Sequence, residues 1–149
     1  MQHRPSIDEW AMLIATVTAE RSTCVRRKAG AVAFDGASRV VSMGYNGVPK
    51  GVPHCIDTPC PGAEDKKGST ERCMAVHAEV NCIINAHSPR AISRMYVTAS
   101  PCFKCALVLI NLPSLESVFY TEAYTDFRGI ELLTEAGLVV LQLTPHTDS

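Results

Sequence analysis

The sequence predicts an α/β fold, a five-stranded mixed sheet covered by helices. Apolar periodicity and turn signals along the 149 residues read as helix, strand, strand, helix, strand, helix, strand, helix, strand, and strands alternating with helices build a sheet under a helical layer. The first two strands flank a tight turn and pair antiparallel, whereas the helix between the last two is long enough for a right-handed parallel crossover. Length and composition agree: with 46% hydrophobic and 19% charged residues the chain can bury a real core, is not disordered in bulk, and is expected to form a single domain over 1–149.

Taken in order, Ser6 and Glu9 form a capping box ahead of Trp10, Leu13, Ile14 and Val17, which predicts a helix over 6–21. Strands at 30–34 and 39–43 flank Asp35-Gly36, a hairpin signal. From 44 to 72 the chain shows no apolar period, with four glycines and four prolines between 44 and 62; so long a loop in a compact domain needs a pin. Residues 75–86 fit a helix and 94–98 a strand. Pro101 opens a helix to about 111, 117–120 is a strand, Asp126 caps a helix through Leu133, and Gly137 precedes a strand at 138–143.

Charge and apolar runs narrow the function. A net charge of −1 gives no basic footprint for duplex nucleic acid, although a local patch can hold one phosphate, so a small ligand is expected. No apolar run approaches the length of a membrane span. The opening Met-Gln-His-Arg-Pro lacks the apolar segment of a secretory signal, so a reducing, cytoplasmic location without disulfides is expected. Seven cysteines in that setting point to metal or catalysis.

His77-Ala78-Glu79 and Pro101-Cys102-Phe103-Lys104-Cys105 each stand at a predicted helix start. Cys102 and Cys105, three apart on a helical turn, face the same way, and His77 completes three ligands for a zinc with its fourth position open, a catalytic arrangement. Glu79 is placed beside the metal's water, where a carboxylate can move the proton that zinc acidifies. His-x-Glu followed by Pro-Cys-x-x-Cys is the signature of zinc nucleobase deaminases, and the chain matches it. Four other cysteines, Cys24, Cys55, Cys60 and Cys73, can close a tetrahedral structural zinc that pins the long loop, with His54 as a rival ligand. Cys82 is expected to be a core thiol, and His3, His87 and His146 surface residues.

Cys24-Val-Arg-Arg-Lys-Ala-Gly30-Ala-Val, Gly44-Tyr-Asn-Gly-Val-Pro49, His77-Ala-Glu-Val-Asn81 and Pro101-Cys-Phe-Lys-Cys105 together resemble the deoxycytidylate (dCMP) deaminase family, in its order and spacing, from about residue 6 to 143. The resemblance implies a three-layer α/β/α cytidine deaminase-like fold and hydrolysis of dCMP to dUMP and ammonia, feeding thymidylate synthesis. It also implies a homo-oligomer, with a hexamer favoured, and dCTP and dTTP as effectors. By residue, it implies that Asn46 bonds the deoxyribose 3′-hydroxyl, that Arg26 lies near the phosphate and that Tyr124 closes the nucleotide pocket. Several members carry a second zinc with cysteines matching Cys24 and Cys55; the other ligands, histidines in some relatives, would here be Cys60 and Cys73. The rival readings are a deaminase of a modified cytosine nucleotide or of tRNA adenosine, and a non-catalytic zinc-scaffolded binding module, against which Glu79 argues.

Overall fold

Helix α1, Ile7–Ala19, begins at the capping box: Ser6 Oγ accepts from the Glu9 N–H at 3.1 Å, and Glu9 Oε2 accepts from the Ser6 N–H at 2.7 Å. The computed structural model describes residues 2–66, 69 and 71–145, so the surface position expected of His146 lies outside it. After α1 come β1 (Gly30–Phe34), β2 (Val40–Tyr45), α2 (Ala78–Asn85), β3 (Arg94–Ala99), α3 (Phe103–Ile110), β4 (Ser117–Glu122), α4 (Arg128–Glu135) and β5 (Val139–Gln142). A short 3₁₀ turn at Pro89–Ala91, too brief to leave a period in the sequence, precedes β3.

The strand order is β2-β1-β3-β4-β5. β1 pairs antiparallel with both β2 and β3, while β3, β4 and β5 run parallel, so the sheet is mixed as expected. Side chains alternate across it. Val32, Phe34, Tyr96 and Phe119 face α1 and pack on Ala11, Met12 and Ala15. Ala31, Met95, Val97 and Val118 face the other layer, with Cys82 of α2, Leu109 of α3 and Leu133 of α4. Burying a side chain such as Leu109 or Val97 contributes roughly 1.5–3 kcal/mol. On the α1 face an aromatic chain runs across the strands, Trp10 edge-on to Phe34, Phe34 edge-on to Tyr96, and Tyr96 stacked on Phe119 at 4.6 Å. The Tyr96 hydroxyl donates to Asp8, giving the buried ring a polar exit.

Three differences from the sequence reading have local causes. On α1 three apolar residues of the stretch, Trp10, Leu13 and Val17, are 40%, 48% and 60% exposed, while the helix meets the sheet through Ala11, Met12, Ala15 and Ala19, with Ile14 partly buried. A Cβ on Gly30 would stand 2.1 Å from the Ala15 carbonyl oxygen, which measures how close that approach is. The helix expected over 75–86 starts only at Ala78, since His77 is extended (φ −71°, ψ 155°). Asp126 is not the cap of α4: Phe127 takes that place, and Asp126 accepts from the Arg128 backbone N–H at 3.1 Å and from its guanidinium. His3 and His87 are exposed, His3 lying 3.8 Å from the Glu9 carboxylate.

Candidate active site

The parallel strands β3 and β4 aim their carboxyl ends at one place, where ligand sites of open α/β sheets form. The chain leaving β3 passes Ser100 and Pro101 to Cys102, and the chain leaving β4 reaches Tyr124. α2 is brought in by the contact of Gly44 on β2, where a Cβ would meet Cys82 N at 2.3 Å. α4 presses on the turn into α3, since a Cβ on Gly129 would meet the Pro101 carbonyl oxygen at 2.1 Å.

His77, Cys102 and Cys105 meet there, their ligand atoms all within 4.8 Å of one another. Cys102 does not ride on a helical turn as expected: it is the extended N-cap of α3 (φ −71°, ψ 169°), and its Sγ accepts from the Cys105 N–H at 3.4 Å. Both His77 and Cys102 thus occupy the cap position of an eight-residue helix, at the positive end of its dipole. His77 Nδ1 lies 3.5 Å from Cys102 Sγ and 3.3 Å from Cys105 Sγ. A tetrahedral zinc at ~2.3 Å from sulfur and ~2.0 Å from nitrogen sets a separation of about 3.5 Å, so these three groups fit that ion.

The electrostatics agree with a metal-ligating set. The Cys102 thiol is pulled down to about 4 by the hydrogen bond from the Cys105 thiol and then by His77, while the same sulfur–sulfur bond, with burial, pushes Cys105 far up. Two sulfurs sharing one proton are what a cation would deprotonate together. His77 is raised, chiefly by its bond to Cys102. Glu79 is 6% exposed, and burial pushes its carboxyl up. Tyr124 is raised chiefly by its own burial, and its N–H is held by the hydroxyl of Ser100, two residues before Cys102, which brings it to the same end of the sheet.

The other expected residues take specific partners. Asn46 is buried, its Nδ2 donating to the Arg27 carbonyl and its Oδ1 accepting from the Ala29 N–H, both at 2.8 Å, so its amide clamps the segment after α1. The Arg26 guanidinium donates to the carbonyls of Gly62, Ser69 and Lys66 at 3.1, 2.7 and 3.0 Å. It is a strut for the long loop, whose ends are closed by the Gly47–Val76 bridge. Sequence reasoning missed that strut, and it missed Arg27, whose guanidinium carbon stands 3.9 Å over the Tyr124 ring with Nη2 2.8 Å from Glu122 Oε2. It also missed Ser100, whose buried hydroxyl accepts from the Tyr124 N–H at 2.9 Å. These pairings join residues far apart in the chain, so no local pattern reveals them.

Among the four remaining cysteines, Cys55 Sγ accepts from the Cys60 N–H at 3.4 Å. The Met74 backbone chiefly, with Gly62 and the thiols of Cys55 and Cys73, pulls Cys60 down; burial, then the charges of Cys60 and Cys24, pushes Cys73 up. Among the described residues no three of these four bring their ligand atoms together as His77, Cys102 and Cys105 do. His54 Nδ1 is instead 3.3 Å from the Thr23 hydroxyl. Cys82 is fully buried, its thiol pushed up to about 11 by that burial, as a core residue.

Comparison with known proteins agrees with this geometry. The family model for the cytidine and deoxycytidylate deaminase zinc-binding region matches residues 5–122. Deoxycytidylate deaminase of Schizosaccharomyces pombe is 32% identical over 151 residues, covering 98% of this chain and 47% of that protein. The chain therefore spans about half the length of that relative. Deoxycytidylate deaminase of Mycobacterium phage D29 is 40% identical over 124 residues, 78% of this chain and 95% of the phage protein. The crystal structure of dCMP deaminase from the cyanophage S-TIM5 with dCMP and dUMP superposes with a TM-score of 0.75 at 26% identity, covering 95% of this chain and 100% of that one.

Proposed function

The chain belongs to the cytidine and deoxycytidylate deaminase family, and from that premise we propose that it hydrolyses dCMP to dUMP and ammonia, feeding thymidylate synthesis. The observation that carries the reading is Glu79, a buried carboxyl beside three metal ligands. A closed structural zinc site has no use for such a group. Zinc held by His77, Cys102 and Cys105 supplies Lewis acidity that makes hydroxide available at neutral pH. Glu79, as the carboxylate, would take a proton from the attacking water and give it to N3 of the cytosine; it would then take the proton of the new C4 hydroxyl and give it to the amino group, so that ammonia leaves as the C4 carbonyl forms. Asn46 keeps one Nδ2 hydrogen and one Oδ1 lone pair beyond its two backbone bonds, enough to bond the deoxyribose 3′-hydroxyl. Tyr124 closes the pocket over the nucleotide.

The reading extends to a second, structural zinc at Cys24, Cys55, Cys60 and Cys73, supported by the contact of Cys55 Sγ with the Cys60 N–H and by the influence of Cys60 and Cys24 on Cys73, and to dCTP and dTTP as effectors. It extends also to a cytoplasmic homo-oligomer with a hexamer favoured. The exposed stripe of Trp10, Leu13 and Val17 supports self-association, being apolar surface of the kind subunit contacts bury. Among the described residues no helix is long and apolar enough to cross a membrane.

Ammonia release across dCMP, CMP, deoxycytidine, dCTP and 5-substituted dCMP tests the substrate. dCMP should have the highest kcat/KM; preference for a 5-substituted nucleotide, or activity only on adenosine in tRNA, overturns the assignment.

A further inference from the structure

Resting on the deaminase reading, we infer that Asn81 is a positioning residue, whose side-chain amide fixes the spacing between Asn46, read as meeting the sugar, and the His77–Glu79 end of α2, where the base reacts. Asn81 lies in the first turn of α2, two residues after Glu79, and its own N–H donates to the His77 carbonyl at 3.0 Å. Its Nδ2 donates to the Tyr45 carbonyl at 2.8 Å and to the Val76 carbonyl at 3.4 Å. A primary amide carries two N–H hydrogens, so one group serves both acceptors. Tyr45 immediately precedes Asn46, and Val76 immediately precedes His77. One amide thus grips both segments, each a single residue upstream of a functional side chain.

The surrounding contacts make the junction stiff. A Cβ on Gly44 would stand 2.6 Å from the Ala78 carbonyl oxygen, and Gly47 and Val76 exchange both backbone bonds at 2.7 and 3.2 Å. Residues 44–47 are therefore laid along the start of α2, and Asn81 closes the interval between those two contacts. A second asparagine supplies the internal comparison. Asn85, one turn farther along α2, donates to the Met43 carbonyl at 2.8 Å. β2 is an edge strand, so these two amides serve alternate carbonyls where a neighbouring strand would otherwise pair. Four residues of helix rise ~6 Å and two of strand ~6.8 Å, which lets the pairs match. Asn85 only fastens helix to strand; Asn81 also ties both to the residue before His77. A nucleotide presents its base and its 3′-hydroxyl at a spacing of its own, so the groups that meet them must be held within about 0.5 Å of it. A looser junction costs activity through misplacement.

The test compares dCMP with 2′,3′-dideoxycytidine monophosphate, which lacks the 3′-hydroxyl, by kcat and KM of the zinc-loaded enzyme, and dUMP with its 2′,3′-dideoxy analogue by calorimetry. Zinc content and melting temperature accompany each measurement, in wild type, Asn46→Ala, Asn81→Ala, Asn81→Asp and Asn85→Ala. The aspartate keeps the shape of Asn81 and removes both donors. In wild type the 3′-hydroxyl should raise kcat/KM and affinity about tenfold or more, and Asn46→Ala should abolish that preference. Both Asn81 variants should shrink it about fivefold or more with zinc content unchanged, a coupling between positions that do not share the ligand. Asn85→Ala should lower the melting temperature and keep the wild-type preference. An equal fall for both substrates in the Asn81 variants, an unchanged preference, or the same loss of preference in Asn85→Ala overturns the inference and leaves the deaminase reading intact. A wild type that deaminates dCMP without regard to the 3′-hydroxyl overturns it as well, through Asn46. A wild type inert toward dCMP overturns the deaminase reading itself, and the inference with it.

Discussion

His77, Cys102 and Cys105 on one side, and Cys24, Cys55, Cys60 and Cys73 on the other, are held by different means. Each member of the first set is at or near the start of a helix, α2 is packed on β2 through Gly44, the turn into α3 is pressed by α4 through Gly129, and the three ligand atoms already stand at the spacing a zinc imposes. The second set is strung along loop held by turns, the Arg26 strut and the Gly47–Val76 bridge. Ligands presented by secondary structure are positioned by the fold, so their metal is free to do chemistry in an open fourth position. Ligands on a loop depend on their metal for position, and that metal becomes part of folding.

The largest expected effect tests the chemical half of this contrast. Glu79→Gln should lose at least ~10²-fold in turnover while zinc content and melting temperature stay near wild type; near-normal turnover would sink the proton-transfer role. Next comes the folding half. Metal analysis of protein purified without chelator should find two zincs per chain, and Cys55→Ser should lose one of them with a fall in melting temperature, because a structural zinc contributes folding energy directly. A stoichiometry of one in the wild type removes the second site.

A matched glycine pair sharpens the comparison. A Cβ at Gly129 would strike the Pro101 carbonyl oxygen at 2.1 Å, and a Cβ at Gly62 would strike Cys73 N at 2.6 Å. Gly129→Ala and Gly62→Ala should each destabilise by ~1–3 kcal/mol, the range of overpacking. Only Gly129→Ala, which moves Cys102, should also lower kcat; equal kinetic loss in both would mean that the two clusters are not independent. The smallest effect is a control far from both. Ser6→Ala removes the cap of α1 and should lower stability by ~1 kcal/mol, read as a melting shift of about 2–4 °C, with kcat unchanged.

What the sequence disclosed, and what it withheld, follows the range of each interaction. The capping box of α1, the limits of β1 and the ligand triad were legible because they depend on residues a few positions apart, or on a motif whose chemistry allows few other arrangements. The division of labour between Arg26 and Arg27 was not, because it depends on carbonyls at 62–69 and a ring at 124 that only the folded chain brings near. Apolar spacing marks α1 as a helix but not the face it turns to the sheet, which is the one with Ala11, Met12, Ala15 and Ala19. Asn46 was read as a sugar ligand from its motif, and its two backbone bonds show that it also supports the chain on which Arg27 sits.

The pairing of β1 with β3 also has a kinetic side. Phe34 lies opposite Arg94, so the middle ladder of the sheet closes only after about 60 intervening residues fold back, an entropic delay that grows with the length of the closed segment. The β1–β2 hairpin needs no such closure and belongs to the microsecond class of events. Cys55, Cys60, Cys73 and His77 all lie on the returning segment. Arrival of these residues and insertion of the central strand are therefore expected to be a single late event, and refolding followed at His77 and at the core of β3 should report one rate.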